Sequence, residues 1–374
     1  MYLDYAATTP VEDQVIEEMT ECMSRQGVFG NPASQQHEYG WQAGDLIALA
    51  RHRVASLINA RESEILFTSG ATESINLALK GSALHPDNWR RHIVTTATEH
   101  KAVLDTCAAL EQEGFEVTYL RPERNGIIAL SEIEQALTSQ TLMVSLLHVN
   151  NETGVIQDAQ DIAELCHRRG VLFHLDASQS VGKIRMDVSK TPVDLMSFSA
   201  HKLYGPKGVG ALYLRKPVRR HLSPLIHGGG QQYGLRSGTL PTQQIVGLGK
   251  ACEMAELRMS VDFRHLTSLY KRFVEGVIGV PGLTLNGDKN AHFPGIVNLS
   301  VGSMDGEELM MRLKRLAISS GSACSSADRK PSHVLRAMGL SYEQAHASLR
   351  VSFGRHTTKE EVNVAVEEIT RALA

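Results

Sequence analysis

Apolar residues in this chain switch repeatedly between the period of a helix and that of a strand. This alternation constrains the fold more than any other feature. Residues 42–59 carry apolar positions at helical spacing, and a short apolar strand follows at 64–68. The pattern continues with a helix at 72–83, a strand at 92–97, a helix at 100–113 and a strand at 115–120. A helix near 131–138, a strand at 141–149, a helix at 158–169 and a strand at 171–175 complete the run. Strands separated by helical stretches of roughly ten to fifteen residues predict an α/β fold with a mostly parallel sheet flanked by helices.

The rhythm changes after Pro241. Residues 242–279 read as helix without a clear strand, and strands at 296–301 and 349–354 then alternate with helices at 305–315 and 359–373. Thr357 with Glu360, or Thr358 with Glu361, would make a capping box for the last helix. The expected organisation is a large α/β domain over 13–256, with a smaller α+β domain built from 1–12 and 257–374.

Composition narrows the class of function. Hydrophobic residues are 42% and charged residues 21%, with a net charge of -3, which suits a soluble globular protein. No basic excess points to direct contact with nucleic acid. No apolar run approaches the roughly 18 residues of a membrane span, and Asp4 stands where a signal peptide would be apolar, so a cytoplasmic protein is expected. The 5 cysteines (Cys22, Cys107, Cys166, Cys252 and Cys324) are odd in number and far apart, which excludes a disulfide framework and favours a reducing compartment.

Phosphate-loop and dinucleotide fingerprints are absent, as are C-x-x-C and H-E-x-x-H, and the 16 histidines show no metal-ligand spacing. Three segments fit neither core nor surface. In SGATES (69–74), Gly70, Ala71 and Thr72 surround the backbone N–H groups of a helix start, which would bind an anion unless Ser69 or Thr72 simply caps the helix. In HLDASQS (174–180), Asp176 ends a strand, where open parallel sheets bind ligands and where a helix cap is the plainer alternative. In SFSAHKLYGPKGVG (197–210), Ser199, His201 and Lys202 sit between two predicted strands, a better setting for an amine nucleophile than for a solvated charge.

One cofactor suits all three segments. Pyridoxal 5'-phosphate needs a Schiff-base lysine, an acid against its pyridine nitrogen and donors to its phosphate. Lys202, Asp176, and Thr72 with Ser199 and His201 would supply them. The chain here resembles the cysteine desulfurases of the IscS/NifS type, in the class V aminotransferase family of fold-type I pyridoxal-phosphate enzymes. The resemblance runs through LDYAATTP (3–10), FGNPAS (29–34), TSGATESIN (68–76), TEHKAV (98–103), VNNETGVIQD (149–158), HLDASQS, SAHKLYGPKG, RSGTLP (236–241) and SSGSACSSA (319–327), in the family's order.

The resemblance implies roles. Lys202 would hold the cofactor and then act as the base at the substrate Cα. Asp176 would keep the pyridine nitrogen protonated, and Gln179 would donate to the phenolic oxygen. His100 would stack on the ring and transfer protons. Asn151 and Arg350 would grip the carboxylate of L-cysteine, and Thr239 would reach the phosphate of the partner subunit in a homodimer. Cys324 lies in a Ser- and Gly-rich segment without apolar period, expected to be a mobile loop. Its thiolate would take the substrate's sulfur as a persulfide and pass it to an acceptor protein, for iron–sulfur clusters, tRNA thiolation or DNA phosphorothioation. The other four cysteines read as small buried hydrophobes.

The chain departs from the family at GGGQQYG (228–234), where Gln232 and Tyr233 replace a charged pair, and it stops at RALA (371–374) without the further C-terminal segment of the housekeeping iron–sulfur desulfurases. The latter leaves the acceptor open. Rival readings are a selenocysteine lyase or class V aminotransferase of the same fold, and a non-catalytic sulfur carrier or scaffold. The SSGSAC loop weighs against the first pair, and Lys202, Asp176, His100 and Cys324 together weigh against the last.

Overall fold

The computed structural model describes residues 1–302, 304–320 and 331–373. One sheet contains β1 (Ile65–Thr68), β2 (His92–Thr96), β3 (Glu116–Leu120), β4 (Thr141–Leu147), β5 (Leu172–Asp176), β6 (Leu195–Ser199) and β7 (Gly210–Leu214), in the order β1-β7-β6-β5-β4-β2-β3. The pairings among β2 to β6 are parallel, and β7 alone runs against both its neighbours. A second, antiparallel sheet contains β8 (Leu283–Asn286), β9 (Ile296–Val301), β10 (Ser319–Ser320) and β11 (Ser348–Ser352), in the order β10-β11-β9-β8. The expected α/β architecture with a mostly parallel, helix-flanked sheet is what forms.

The helices are α1 (Asp13–Glu21), α2 (Glu38–Leu57), α3 (Ala71–Ala83), α4 (Lys101–Gln112), α5 (Leu130–Ala136), α6 (Ala159–Arg169), α7 (Thr242–Val277), α8 (Gly306–Arg312), α9 (His333–Ala337), α10 (Tyr342–His346) and α11 (Lys359–Leu373). Strand alternation sorts the large sheet's side chains between two cores. Ile65, Phe67, Phe173 and Phe198 face a core shared with Ile47 and Val54 of α2 and Ile245 and Leu248 of α7. Leu66, Ile93, Met143 and Leu212 face the other, with Leu77 of α3 and Val103 and Leu110 of α4. The strands are apolar on both faces because helices cover both.

The α7 helix serves both sheets. Its first half packs on α2, where Gly249 permits close crossing: a Cβ there would lie 2.6 Å from Ala50 Cα. Its second half carries Leu266, Leu269 and Phe273 into the core of the small sheet, beside Val297, Leu299 and Val351. The expected boundary at 256/257 therefore falls inside one continuous helix. The chain's start returns to the small sheet, with Tyr2 bridging Ala317 and Asp4 bridging Ser352. Of the two candidate boxes for α11, Thr358 and Glu361 form it: Thr358 N–H donates to Glu361 at 2.9 Å, and Glu361 N–H donates to Thr358 Oγ1 at 3.1 Å.

Candidate active site

A cavity of about 730 Å³ opens at the C-terminal ends of β4 and β5, between the two sheets, where parallel sheets place ligands. Gly70, Ala71 and Thr72 line one side. Asp176, Gln179, Ser199, His201 and Lys202 line the floor, and His100, Asn151 and Arg350 complete the wall. Residues from six separate segments thus converge.

The anion cradle follows from local backbone. Gly70 precedes α3 at φ 156° and ψ -179°, a conformation reserved for glycine, and among the described residues no side chain caps the helix. Neither Ser69 nor Thr72 acts as the cap that the sequence allowed. The first N–H groups of α3 are thus left for a ligand. Gly210 passes so close behind that a Cβ there would lie 2.7 Å from Gly70 Cα. Ser199 Oγ is buried without a hydrogen-bond partner among the described residues. Glu73, one turn into α3, would repel an anion, but Arg236 grips it through bonds of 2.8 and 3.2 Å. Burial works to raise that carboxyl, and the bonds from Arg236 and Ser69 outweigh it, holding it below its ordinary value.

Lys202 lies on a 3-10 turn, Ala200–Lys202, directly after β6. Its charge reaches its neighbours. His201 is held down to about 4, by burial first and then by Lys202, and its Nδ1 meets Thr8 Oγ1 at 3.1 Å. His100 is also lowered, by burial first and then by Lys202, so its imidazole is neutral at pH 7. His100 begins α4, where its Nδ1 accepts the Ala102 N–H at 3.1 Å. A neutral ring whose Nδ1 accepts carries its proton on Nε2.

Asp176 is 2% exposed at the end of β5. It caps no helix: its Oδ1 accepts from Ser178 N–H at 2.9 Å and Ser178 Oγ at 2.5 Å, which fixes the carboxylate at the strand end. Arg350, on β11, reaches across from the small sheet. It donates to the Asn151 backbone carbonyl at 2.9 Å and to Asp4 Oδ1 at 2.8 Å, with Ser319 Oγ at 3.0 Å. Its Nε is buried with no partner among the described residues. Thr239 is exposed and does not line the cavity. Cys324 lies outside the described residues.

The model of the family described as "Aminotransferase class-V" matches residues 1–364. The chain belongs to the class-V aminotransferase family. Cysteine desulfurase IscS of Vibrio vulnificus strain YJ016 is 54% identical over 374 residues, covering 100% of this chain and 93% of that protein. Cysteine desulfurase IscS of Shewanella woodyi is also 54% identical, covering 100% and 92%. Among solved structures, a NifS-like protein superposes with a TM-score of 0.92 at 37% identity, covering 100% and 99% of the two chains. DndA from Streptomyces lividans follows with 0.81 at 40% identity, covering 95% and 99%. The resemblance to the cysteine desulfurases therefore holds over the whole chain.

Members of this branch of the class-V aminotransferase family depend on pyridoxal phosphate, and the residues fit that group. The uncapped start of α3 and the unpartnered Ser199 Oγ suit its phosphate, Asp176 its ring nitrogen and Lys202 its aldehyde carbon. The four other cysteines are all buried. Burial pushes the Cys22 thiol up to about 11 and those of Cys107 and Cys166 to about 12, and it raises Cys252 further, which makes them poor nucleophiles.

Some contributors escaped sequence reasoning. Asp4 holds Arg350 and also accepts from Ser319 Oγ at 2.9 Å; the LDYAATTP motif was its signal. Glu99 joins the strand ends behind His100, accepting from Thr96 Oγ1 at 2.8 Å and Leu147 N–H at 2.9 Å. Burial raises its carboxyl to about 8, so it is protonated at neutral pH.

Proposed function

We propose that this protein converts L-cysteine to L-alanine and carries the sulfur on Cys324, as a persulfide, to an acceptor protein. The convergence of Lys202, Asp176 and His100 beside an uncapped helix start carries this reading. Pyridoxal phosphate, when bound, supplies an electron sink that makes the substrate's Cα proton removable. Lys202 anchors the cofactor and takes up that proton, and Asp176 holds the charge on the ring nitrogen. Gln179 donates to the phenolic oxygen. Ser199, His201, Thr72 and the N–H groups near Gly70 and Ala71 receive the phosphate. Neutral His100, with its proton on Nε2, is a donor at the site.

Arg350 binds the substrate carboxylate with Asn151. Its planar fork suits a carboxylate, and Asp4 keeps it aimed. The Cys324 thiolate attacks the substrate sulfur; an S–S bond forms, the Cβ–S bond breaks with its electron pair left on carbon, and a proton added at Cβ together with return of a proton from Lys202 to Cα completes alanine. The protein acts as a homodimer in which Thr239 reaches the phosphate held by the partner, in keeping with its exposed place away from its own cavity. It works in the cytoplasm, and its acceptor belongs to iron–sulfur cluster assembly, tRNA thiolation or DNA phosphorothioation. Among the described residues no helix is long and apolar enough to cross a membrane.

Incubation with L-cysteine and a reductant tests the reading. Alanine and sulfide in equal yield are expected, from a yellow protein whose visible band Lys202→Ala abolishes. Pyruvate in place of alanine, or an unchanged band in Lys202→Ala, would overturn it.

A further inference from the structure

Lys183 has no part in the scheme above, yet its surroundings single it out. It stands four residues after Gln179, on the turns that follow β5. Its amine donates to Gln179 Oε1 at 2.9 Å, and Gln179 Nε2 donates to the Ala6 carbonyl at 2.7 Å. Gln179 is wholly buried and borders the cofactor cavity. A primary amide offers one oxygen with two acceptor sites and one nitrogen with two N–H donors. Lys183 occupies the oxygen and Ala6 one N–H, so both partners demand the same orientation. A flipped amide would press its oxygen against the Ala6 carbonyl and its N–H groups against an amine. One N–H of Gln179 remains for the cavity.

The rest of the lysine is equally constrained. Its Nζ lies 5.6 Å over the Phe293 ring, which favours a cation and fixes the end of a flexible side chain. Burial, then the charge of Lys202, lower the amine to about 7. Protonated or neutral, the amine can donate to Gln179; the ammonium form, which has no lone pair, excludes the flipped amide, and the Ala6 carbonyl disfavours it in either form.

We propose that Lys183 is a positioning residue that locks the Gln179 amide with its NH2 group available to the phenolic oxygen of the bound cofactor. The proposal rests on reading the cavity as a pyridoxal-phosphate site. Loss of the lock leaves the phenolic oxygen with a weaker donor, which makes the bound chromophore more basic.

The test uses holoenzyme and two readouts, the pH midpoint of the visible band and the dissociation constant of pyridoxal phosphate. Lys183→Met is expected to raise the midpoint by roughly half to one pH unit and to weaken cofactor binding roughly three- to tenfold, the size of one hydrogen bond. Gln179→Ala should do the same, and the double variant should show no further shift. Lys183→Arg, which keeps a donor, should return both readouts toward the parent. An unchanged midpoint in Lys183→Met would overturn the proposal. So would a Lys183→Met shift that persists undiminished in the Gln179→Ala background, because the lysine would then act by charge and not through the amide. Wild-type protein that forms no visible band with pyridoxal phosphate would instead overturn the cofactor reading itself, a result distinct from both.

Discussion

Asp176 illustrates how a residue's setting decides its chemistry. Its 2% exposure would keep water from screening the proposed pairing with the cofactor's ring nitrogen, and Ser178 holds the carboxylate still. Asn at this position keeps the shape and removes the charge. Asp176→Asn is therefore expected to keep bound cofactor but to lower kcat by roughly a hundredfold or more, the scale of a lost proton-holding group. Steady-state alanine formation checks it, and a loss under threefold would contradict the assignment. Lys202 and Asp176 were legible in the sequence through SAHKLYGPKG and HLDASQS taken together; alone, a carboxylate at a strand end reads as a helix cap and a lysine as solvated charge. Lys183 was not, because a lysine on a turn reads as solvated charge, and only the packing shows its amine beside a buried amide. Asp4 was hidden similarly: its partner Arg350 lies 346 positions away.

Among elements, the junction of β1 and α3 concentrates the most function in the fewest residues. Gly70 alone permits the turn that leaves the first N–H groups of α3 without a cap. Among the described residues a methyl there would meet no atom within 4 Å, and Gly70 lines the cavity. Gly70→Ala also carries a backbone penalty of roughly 1–3 kcal/mol. The variant is expected to fold and to bind pyridoxal phosphate at least tenfold more weakly, measured by absorbance titration. Affinity within twofold of the parent would remove the cradle from the phosphate site. Most elements were legible, because helices and strands with one or two apolar faces announce their period. The exceptions were the short α1, β8, β10, α9 and α10. These short elements carry no clear apolar period of their own, and tertiary pairing defines them.

For the whole molecule, the site depends on the two sheets being held together. Asp4 and Arg350 sit on the small-sheet side and Asn151 follows a strand of the large one, so the proposed carboxylate grip needs both in place. Burial of titratable groups throughout the large sheet also makes stability depend on pH. Burial lowers His174 to about 4; its ring nitrogens meet Ser145 Oγ at 2.8 Å and Ser197 Oγ at 2.9 Å. The unfolded histidine takes a proton near pH 6.5, before the folded one does. Its contribution is thus fully present above that value and is lost as pH falls toward 4. His148 behaves alike. Replacing His174 by Gln is expected to remove about one proton from the slope of stability against pH, about 1.4 kcal/mol per pH unit, between pH 6 and 4.5. Urea unfolding of parent and variant across that range measures it, and parallel slopes would refute the buried neutral state.

Sulfur taken from L-cysteine in this cavity is proposed to pass to Cys324. A single turnover with L-cysteine and no reductant, followed by peptide mass analysis and alanine quantitation in the same sample, tests it most directly. One sulfur atom added to the Cys324 peptide for each alanine formed is expected, with neither product in Lys202→Ala. Alanine without sulfur on Cys324, or an equal yield of alanine from Cys324→Ser, would contradict it.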